Sequence, residues 1–356
     1  MNNKIGENNL YSNSLVGEQL TKLPLLLSMP IHFGALVLET TNCCNSKCGI
    51  CYQSAGAEGR DRINLSAAKR AIEDSAVLEN VDSRLHIAGG EAFLFPKDCF
   101  DLFRTAREAG YTLISATSNC FWASTLDKAR MMCEKASDSG LNYMEISWDF
   151  WHGEYMPAEA VNNCLIACRE FGIVTNVRLL TTKSHDMEES IVRLDPDILR
   201  LASNITSGPV IGTGRASEVL KKKEFFPARM GINGSCHSIL NLTINVHGEV
   251  FPCCAGFDIC RECAFGNINN TSIKDIVLRM NSDPLLRRLV FLGPSSFLPL
   301  LKKSGVEVKK CATFCELCTQ MFSDEKIRKV IMDYVKKDQS KKNENDDDLL
   351  HNQGRS

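Results

Sequence analysis

The stretch Cys44-Asn45-Ser46-Lys47-Cys48-Gly49-Ile50-Cys51-Tyr52 decides the fold of this chain, because it sets three cysteines in a C-x3-C-x2-C spacing. Thiolates are the usual ligands of iron–sulfur clusters, and a cubane cluster is held by four ligands. A loop that supplies three of them leaves one iron open to a substrate or a cofactor. The spacing therefore indicates a reactive metal site.

A zinc loop is the alternative for the same three cysteines. Structural zinc sites are closed tetrahedra, and they generally draw their ligands from two cysteine or histidine pairs. No further Cys or His follows within thirty residues of Cys51, and only His32 and Cys43 precede the loop. Cys43 adjoins Cys44 too closely for an ordinary zinc pair. The sequence therefore favours an iron–sulfur cluster over zinc.

The composition is that of an ordinary globular protein. The chain has 356 residues, of which 44% are hydrophobic and 24% are charged, with a formal net charge of −2. This length allows a full core and a second, smaller domain. The near-neutral charge argues against a nucleic-acid partner, because such a surface would show clustered Lys and Arg. The apolar stretch 23–38 is interrupted by prolines and is too short to span a membrane.

Seventeen cysteines are unusual in such a chain. The N-terminus is rich in asparagine and lacks the pattern of a secretory signal, so we expect a cytoplasmic protein. In that reducing compartment, clustered cysteines are metal ligands or reactive thiols. Cysteines on apolar helical faces are instead expected to be small buried hydrophobes. The latter are Cys99, Cys133, Cys164 and Cys168.

Strand and helix patterns alternate from residue 35 onward at a spacing of roughly thirty residues, which is typical of parallel βαβ units. Strands are predicted at 35–40, 84–88, 112–117, 143–148, 173–181 and 198–203, and helices at 66–78, 98–109, 124–139 and 157–171. The predicted fold class is α/β, a partial (β/α)6 barrel of the TIM type followed by a smaller cysteine-rich domain. In such barrels the functional loops follow the C-terminal ends of the strands.

Shifts in composition divide the chain into five parts. The tail is rich in Lys, Asp, Asn and Ser, and such a composition is typical of disorder. The predicted parts are a leader at 1–34, the barrel at 35–216, a bridging segment at 217–230, the cysteine-rich domain at 231–322 and a disordered tail at 335–356.

Polar residues follow three of the predicted strands. Gly89-Gly90-Glu91 comes directly after the second strand, where glycines let the backbone approach a ligand and a carboxylate can bind an ammonium group. The run Ser147-Trp148-Asp149-Phe150-Trp151-His152 ends strand four, and Arg178 lies on strand five. Such side chains point toward the site in barrel enzymes. His152 is either a general acid or base or a hydrogen-bonded structural residue.

The cysteine loop, with Ile50 before its third cysteine and Tyr52 after it, resembles the radical S-adenosylmethionine (SAM) superfamily, as does Gly89-Gly90-Glu91. In that family SAM chelates the open iron of a 4Fe-4S cluster, and the reduced cluster cleaves it to a 5′-deoxyadenosyl radical that abstracts hydrogen from the substrate. The segment 208–216 resembles the family's adenine-pocket segment, whereas Cys120 stands where relatives often have glycine. The resemblance implies that Cys44, Cys48 and Cys51 hold the cluster and that Tyr52, Gly89, Gly90, Glu91, Ser147, Asp149 and Arg178 bind SAM.

The C-terminal cysteines resemble the SPASM and twitch modules that hold auxiliary iron–sulfur clusters. Cys236 is followed by eleven residues, Gly248, four residues and Cys253, as in the opening of those modules, and a group of three cysteines ends the segment. Only the pair Cys260-x2-Cys263 matches the longer C-x2-C-x5-C-x3-C stretch of a full SPASM pattern. The resemblance implies one twitch-like auxiliary 4Fe-4S cluster on Cys236, Cys253, Cys315 and Cys318.

Three alternatives remain open in this domain. Cys254 or Cys311 could replace one of the four ligands. A second auxiliary cluster could use Cys260, Cys263 and Cys311. A structural zinc site is also compatible with the C-x2-C pairs.

The resemblance implies a radical SAM enzyme of the oxidoreductase or epimerase type that crosslinks or epimerises a ribosomally made peptide. Epimerisation requires a thiol that returns hydrogen to the opposite face of the substrate, and Cys254 is the candidate catalytic residue. Radical dehydrogenation or epimerisation of a small molecule, such as an aminoglycoside or another sugar, is the alternative. A non-catalytic metal-binding scaffold is a third hypothesis, disfavoured by the ordered motifs at the strand ends.

The expected partners follow from the same resemblance. A low-potential donor, flavodoxin or ferredoxin, would reduce the cluster. Because residues 1–34 are too few for a fused peptide-recognition domain, a peptide substrate would need a separate recognition protein or direct docking.

Overall fold

The computed structural model describes residues 29–226, 232–236, 240–254 and 260–337. Its centre is one sheet of eight strands in the order β6-β5-β4-β3-β2-β1-β7-β8. Strands β1 to β7 are parallel to their neighbours, and β8 pairs antiparallel with β7. The strands are β1 Leu36–Glu39, β2 Arg84–Ala88, β3 Leu113–Ser118, β4 Tyr143–Ser147, β5 Val174–Thr181, β6 Asn204–Pro209, β7 Leu242–Ile244 and β8 Val250–Phe251.

Helices connect the strands of the barrel and form most of the C-terminal part. In the barrel they are α1 Leu65–Ser75, α2 Pro96–Glu108, α3 Leu126–Ser139, α4 Ala158–Glu170, α5 Met187–Ile191, α6 Pro196–Leu199 and α7 Arg215–Val219. The C-terminal helices are α8 Ile273–Ser282, α9 Pro284–Leu292, α10 Leu298–Lys303 and α11 Phe314–Ser323, and residues 325–337 are also helical. The partial barrel followed by a smaller domain, as predicted, is confirmed.

Local capping explains where the barrel helices begin and end. The Asn64 side chain accepts a hydrogen bond from the Ala67 N–H at the start of α1, and Thr125 does the same for α3. Helix α3 ends at Gly140, which has a left-handed φ of 119°. These signals are local in sequence, and the predicted bounds of α1 to α4 therefore lie within a few residues of the observed ones.

The sixth strand was predicted too early in the chain, and this prediction was wrong. Residues 196–199 form the short helix α6 and not part of a strand, because Pro196 stands at its first turn and the Asp195 side chain accepts bonds from two N–H groups. The strand follows at 204–209 and pairs with β5 over its whole length.

The C-terminal part is joined to the barrel sheet. Leu242 of β7 pairs with Leu36 of β1, so the sheet continues from the barrel into the cysteine-rich segment. The first described residues of the predicted leader also pack inward, since Ile31 and Phe33 are fully buried. The helix through residue 337 overlaps the start of the predicted tail, whose remainder lies outside the described residues, as do residues 1–28 of the leader. The five-part division of the chain stays a prediction.

The core lies between the sheet and the outer helices. Cys99, Cys133, Cys164 and Cys168 are all buried there, which confirms their interpretation as small buried hydrophobes. A second core, which contains Phe251, Leu301 and Phe322, holds the C-terminal helices together. Within the described ranges, the helices all fall short of the length and apolar character that a membrane span requires.

Candidate active site

A cavity of about 560 Å³ lies at the C-terminal ends of the barrel strands and reaches into the barrel interior. Residues from strands β1 to β5 and from the C-terminal part line it. The lining includes every residue predicted for the first cluster, for SAM and for catalysis: Cys44, Cys48, Cys51, Tyr52, Gly89, Gly90, Glu91, Ser147, Asp149, Arg178 and Cys254. The fold therefore brings together residues that are more than two hundred positions apart in sequence.

An arginine that follows β6 binds the backbone of the cysteine loop and of the residues just after it. The Arg215 side chain donates hydrogen bonds to the carbonyl oxygens of Cys48 at 2.9 Å, Ser54 at 2.8 Å and Ala55 at 2.6 Å. Its backbone N–H donates to the Cys51 carbonyl. Arg215 is 8% exposed, so these charge-assisted bonds form in a largely dry environment. Sequence reasoning assigned this segment to the adenine pocket and missed its contact with the cysteine loop.

Two glycines let other loops approach the cysteine loop closely. A Cβ atom on Gly214 would lie 2.0 Å from the Tyr52 carbonyl oxygen, and Gly214 has a left-handed φ of 54°. A Cβ atom on Gly90 would lie 2.2 Å from the Cys43 carbonyl oxygen. Both obstacles are backbone atoms, which cannot rotate away as a flexible side chain can. Gly90 therefore serves the packing of the site, and its predicted role in SAM binding stays a prediction.

Glu91 joins the ends of β2 and β3. Its Oε1 accepts hydrogen bonds from the Ser118 hydroxyl at 2.9 Å and the Phe93 N–H at 3.2 Å, and its Oε2 accepts from the Asn119 N–H at 2.8 Å. Burial raises the pKa of Glu91 to about 7, although these three bonds act in the opposite direction. A carboxylate offers about four acceptor sites, so Glu91 keeps acceptor capacity for a ligand in the cavity that it lines.

The loop after β3 ties the cysteine loop to the barrel. The Asn119 side chain donates to Asn45 Oδ1 at 2.9 Å and to Ser46 Oγ at 3.3 Å. Cys120 follows with a left-handed φ of 62°, a conformation in which glycine has no steric penalty. The Cys120 thiol is fully buried against Cys164 outside the cavity.

The end of β4 is organised around Asp149. Its Oδ1 accepts hydrogen bonds from the Trp151 N–H, the His152 N–H and the His152 ring, and its Oδ2 accepts from the Leu180 N–H. Burial alone would lower the pKa of His152, but the Asp149 carboxylate and the neighbouring Cys48 sulfur hold that pKa well above its ordinary value. Asp149 thus fixes the loop above β4, and its predicted contact with SAM stays a prediction.

Ser147 and Arg178 face each other across β4 and β5. Arg178 Nη1 lies 3.5 Å from Thr206 Oγ1, and Gly208 leaves the room that the guanidinium occupies. Tyr52 lies on the other side of the cavity, where its hydroxyl donates to Glu39 Oε1 at 3.0 Å. These positions are compatible with the SAM-binding roles predicted for Ser147, Arg178 and Tyr52.

A polar layer deeper in the barrel was not predicted. The His86 ring bonds to Ser115 Oγ at 2.8 Å and to Thr117 Oγ1 at 2.9 Å. Burial lowers the pKa of His86, with the nearby Glu145 carboxylate acting in the opposite direction. Alternation along β2 to β4 could have indicated these inward positions, because His86, Ser115 and Glu145 each stand two residues from another cavity residue of the same strand.

The C-terminal thiols gather around Cys318. Burial raises the pKa of the Cys318 thiol well above its ordinary value, and the nearby thiols of Cys253, Cys236, Cys315 and Cys263 raise it further. This group contains the four predicted auxiliary ligands. The Cys311 thiol instead donates to the Lys309 carbonyl oxygen at 3.2 Å.

The arrangement of the loop cysteines fits a cluster better than a single ion. Across the described ranges, no three His, Cys, Asp or Glu side chains converge closely enough to hold one metal ion. A 4Fe-4S cluster places its cysteine sulfurs farther apart than one zinc ion does. The three thiols and the Glu91 carboxylate line one cavity, and this arrangement is compatible with a cluster and its cofactor.

Comparison with known proteins agrees with this site. Residues 236–319 match the family model of SPASM, an iron–sulfur cluster-binding domain. The C-terminal lobe therefore matches an iron–sulfur cluster-binding domain, and the barrel with its cysteine loop is similar to that of radical S-adenosylmethionine enzymes.

Individual relatives extend the likeness over most of the chain. The sequence is 24% identical over 297 residues to YydG of Bacillus subtilis (strain 168), which is named as a peptide biosynthesis protein; the match covers 80% of this chain and 91% of YydG. The structure of Streptococcus suis SuiB bound to precursor peptide SuiA has a TM-score of 0.55 at 17% identity, and the match covers 80% of this chain and 74% of SuiB. For anSMEcpe with bound AdoMet and a Cp18Cys peptide, the TM-score is 0.51 at 12% identity, covering 85% of this chain and 99% of that one. The solved structures show a shared fold.

We expect the affinity for SAM to fall as the pH is lowered below about 7, if Glu91 binds the SAM ammonium group as we propose. Only the ionised carboxylate favours that cation, and its pKa is raised to about 7. Each further pH unit should weaken binding roughly tenfold. Calorimetric titration of the cluster-loaded protein between pH 8 and pH 6 measures this change.

The Glu91→Gln variant is the control, because it should bind SAM weakly and without this pH dependence. The same raised pKa should make the SAM-free protein less stable as the pH rises from the ordinary glutamate value of 4.5 to about 7, because ionisation of a buried carboxyl opposes folding. A SAM affinity that stays constant in the wild-type protein would contradict the assignment of Glu91.

Proposed function

We propose that this radical SAM enzyme epimerises a residue of a ribosomally made peptide, with Cys254 as the hydrogen donor. The observation that carries the proposal is the position of Cys254, which lines the same cavity as the cysteine loop and Glu91. Its neighbour Cys253 instead packs against the core of the C-terminal helices. The two adjacent cysteines thus have different surroundings. The position of Cys253 suits a cluster ligand, and the position of Cys254 suits a hydrogen donor to a substrate in the cavity.

The similarity to proteins whose names mention peptides supports a peptide substrate. YydG is named as a peptide biosynthesis protein, and the SuiB structure contains a precursor peptide. When bound, the cluster and SAM supply a 5′-deoxyadenosyl radical that removes a hydrogen atom from the substrate carbon. A thiol on the opposite side of the cavity can then return a hydrogen atom to the other face.

Return of a hydrogen atom from Cys254 to the substrate radical leaves the enzyme one electron short, so an external electron is required. The Cys254 S–H bond breaks, a C–H bond forms on the substrate, and a thiyl radical remains on Cys254. One electron and one proton restore the thiol. We propose flavodoxin or ferredoxin as the electron source, with an auxiliary 4Fe-4S cluster on Cys236, Cys253, Cys315 and Cys318 beside the donor. The proximity of the Cys236, Cys253 and Cys315 thiols to Cys318 supports this ligand set.

Reaction in heavy water with a Cys254→Ala variant tests the function. Any short open reading frame encoded beside the gene supplies the precursor peptide to be tested as substrate. We expect the wild-type enzyme to place one deuterium at the inverted carbon, because the thiol hydrogen exchanges with solvent. The Cys254→Ala enzyme should still form 5′-deoxyadenosine but no inverted residue, as chiral amino-acid analysis and mass spectrometry would show.

Cys43→Ala is the matched control. Cys43 also adjoins a predicted ligand cysteine, but it does not line the cavity, so this variant should keep the activity. A product two hydrogens lighter than the peptide would indicate crosslinking and overturn the epimerase assignment. Failure to modify any peptide, with turnover of an aminoglycoside or sugar instead, would overturn the peptide substrate.

A cytoplasmic location and a separate recognition protein are further proposals. The abundance of thiols and the need for a low-potential reductant support the first. An extended peptide could also dock directly on the barrel.

A further inference from the structure

Strand β6 forms one edge of the eight-stranded sheet and pairs only with β5 among the described strands. All of its residues are exposed except Gly208, which is half-buried. In the described ranges, no hydrogen bond joins its outer edge to another segment.

The register of β6 shows which backbone groups face outward. The Val210 N–H donates to the Thr181 carbonyl oxygen on β5 at 2.9 Å, so position 210 faces β5. The pairing is continuous from 204 to 209, and successive residues point their backbone groups to opposite sides. The backbone hydrogen-bonding groups of Ile205, Ser207 and Pro209 therefore point away from β5 and from the rest of the sheet. Pro209 fits this assignment, because a strand proline is tolerated where no ladder N–H is needed.

The outer edge offers two N–H groups, from Ile205 and Ser207, and three carbonyl groups, from the same two residues and Pro209. Natural proteins usually protect such an edge with charged side chains, bulges or a covering segment. Strand β6 carries no charged residue. Its alternating donors and acceptors are complemented best by another extended polypeptide backbone.

This edge is continuous with the wall of the cavity. Thr206 points inward, where its Oγ1 accepts a bond from Asn176 Nδ2 at 2.9 Å and lies near Arg178. Arg178 lines the cavity. A strand added beside β6 would present every second side chain to the barrel interior. The end of the added strand that is nearest to the cysteine loop would lie beside Pro209 and Val210.

We propose that an extended segment of the peptide substrate pairs with the outer edge of β6 and continues the barrel wall. This inference rests on the proposed peptide substrate. Backbone pairing provides affinity with little dependence on sequence, and the inward side chains provide selection at every second position. The substrate is favoured over a second copy of the chain because the edge leads directly into the cavity where the reaction takes place.

Proline substitutions on the outer edge test the pairing. Ser207→Pro and Ile205→Pro each remove one outward N–H group and no bond to β5. We expect each to raise the KM for the precursor peptide roughly tenfold, as for the loss of a backbone hydrogen bond, with kcat little changed. Ser207→Ala and Ile205→Val keep the N–H group and should leave KM unchanged. Cleavage of SAM without peptide should be the same in all four variants.

The substrate offers a second test that leaves the enzyme intact. N-methylation of single peptide residues should raise KM at alternate positions of the paired segment and have little effect at the positions between them. A peptide that is epimerised with the same KM by the proline variants and after every N-methylation would overturn the docking proposal while the proposed function stands. Proline variants that lose thermal stability in the absence of peptide would instead indicate that a segment of this chain covers the edge.

Discussion

The Arg215→Met variant should fail to hold a stable cluster and should lose nearly all cleavage of SAM. Arg215 donates hydrogen bonds to one carbonyl oxygen of the cysteine loop and to two just after it, and methionine has a similar length but no donor. Hydrogen bonds to charged groups contribute about 1.5 to 3 kcal/mol each, so the loss of three should destabilise this part of the protein by at least about 4.5 kcal/mol. Absorbance after anaerobic reconstitution and the yield of 5′-deoxyadenosine measure the two effects.

Two further arginine variants make this result specific. Arg215→Lys keeps the charge but cannot reach three carbonyls at once, so it should have an intermediate effect. Arg130→Met removes an exposed arginine that pairs with Glu170 outside the cavity, and it should change stability by no more than about 1 kcal/mol. Full cluster content in Arg215→Met would show that the loop holds its shape without this residue.

The Gly214→Ala variant should be the second most damaging substitution. The new Cβ would lie 2.0 Å from the Tyr52 carbonyl oxygen and 2.7 Å from the Cys51 carbonyl oxygen. Neither loop can yield without moving Cys51, a predicted cluster ligand. We expect the variant to lose the cluster absorbance while its helical circular dichroism is retained.

Gly172→Ala is the matched control. Gly172 also has a left-handed φ, 69° against 54° for Gly214, but a Cβ there meets no atom within 4 Å. The free energy of unfolding of this variant should therefore fall by only about 1 to 2 kcal/mol, because alanine disfavours a left-handed backbone. Its melting temperature should be lower and its cluster content normal. Equal effects of the two substitutions on the cluster would contradict the close-packing argument.

Much of the site could be predicted because its signals are local. The spacing of Cys44, Cys48 and Cys51 and the position of Glu91 after β2 are visible in short stretches of sequence. Parallel strands then bring their C-terminal ends to one side of a barrel, so residues at these ends share a cavity.

Other parts of the site depend on contacts that no local pattern encodes. Arg215 lies more than 150 residues from the carbonyls that it binds, and its glycine-rich surroundings look like an ordinary loop. The start of β6 was misplaced because the apolar pattern at 198–203 resembles a strand, whereas Asp195 and Pro196 favour a helix start. The different surroundings of Cys253 and Cys254 likewise follow from the packing of the C-terminal helices.

The pairing of β1 with β7 has a consequence for synthesis on the ribosome. Leu36 pairs with Leu85 on one side and with Leu242 on the other, so one side of β1 finds its partner long after the barrel helices have emerged. Until then the strand that carries the cysteine loop is an open edge, which is prone to pairing with other chains. Because β7 pairs with β1 only late in synthesis, we expect the first cluster to be inserted after translation, when the C-terminal lobe has covered the open edge of β1.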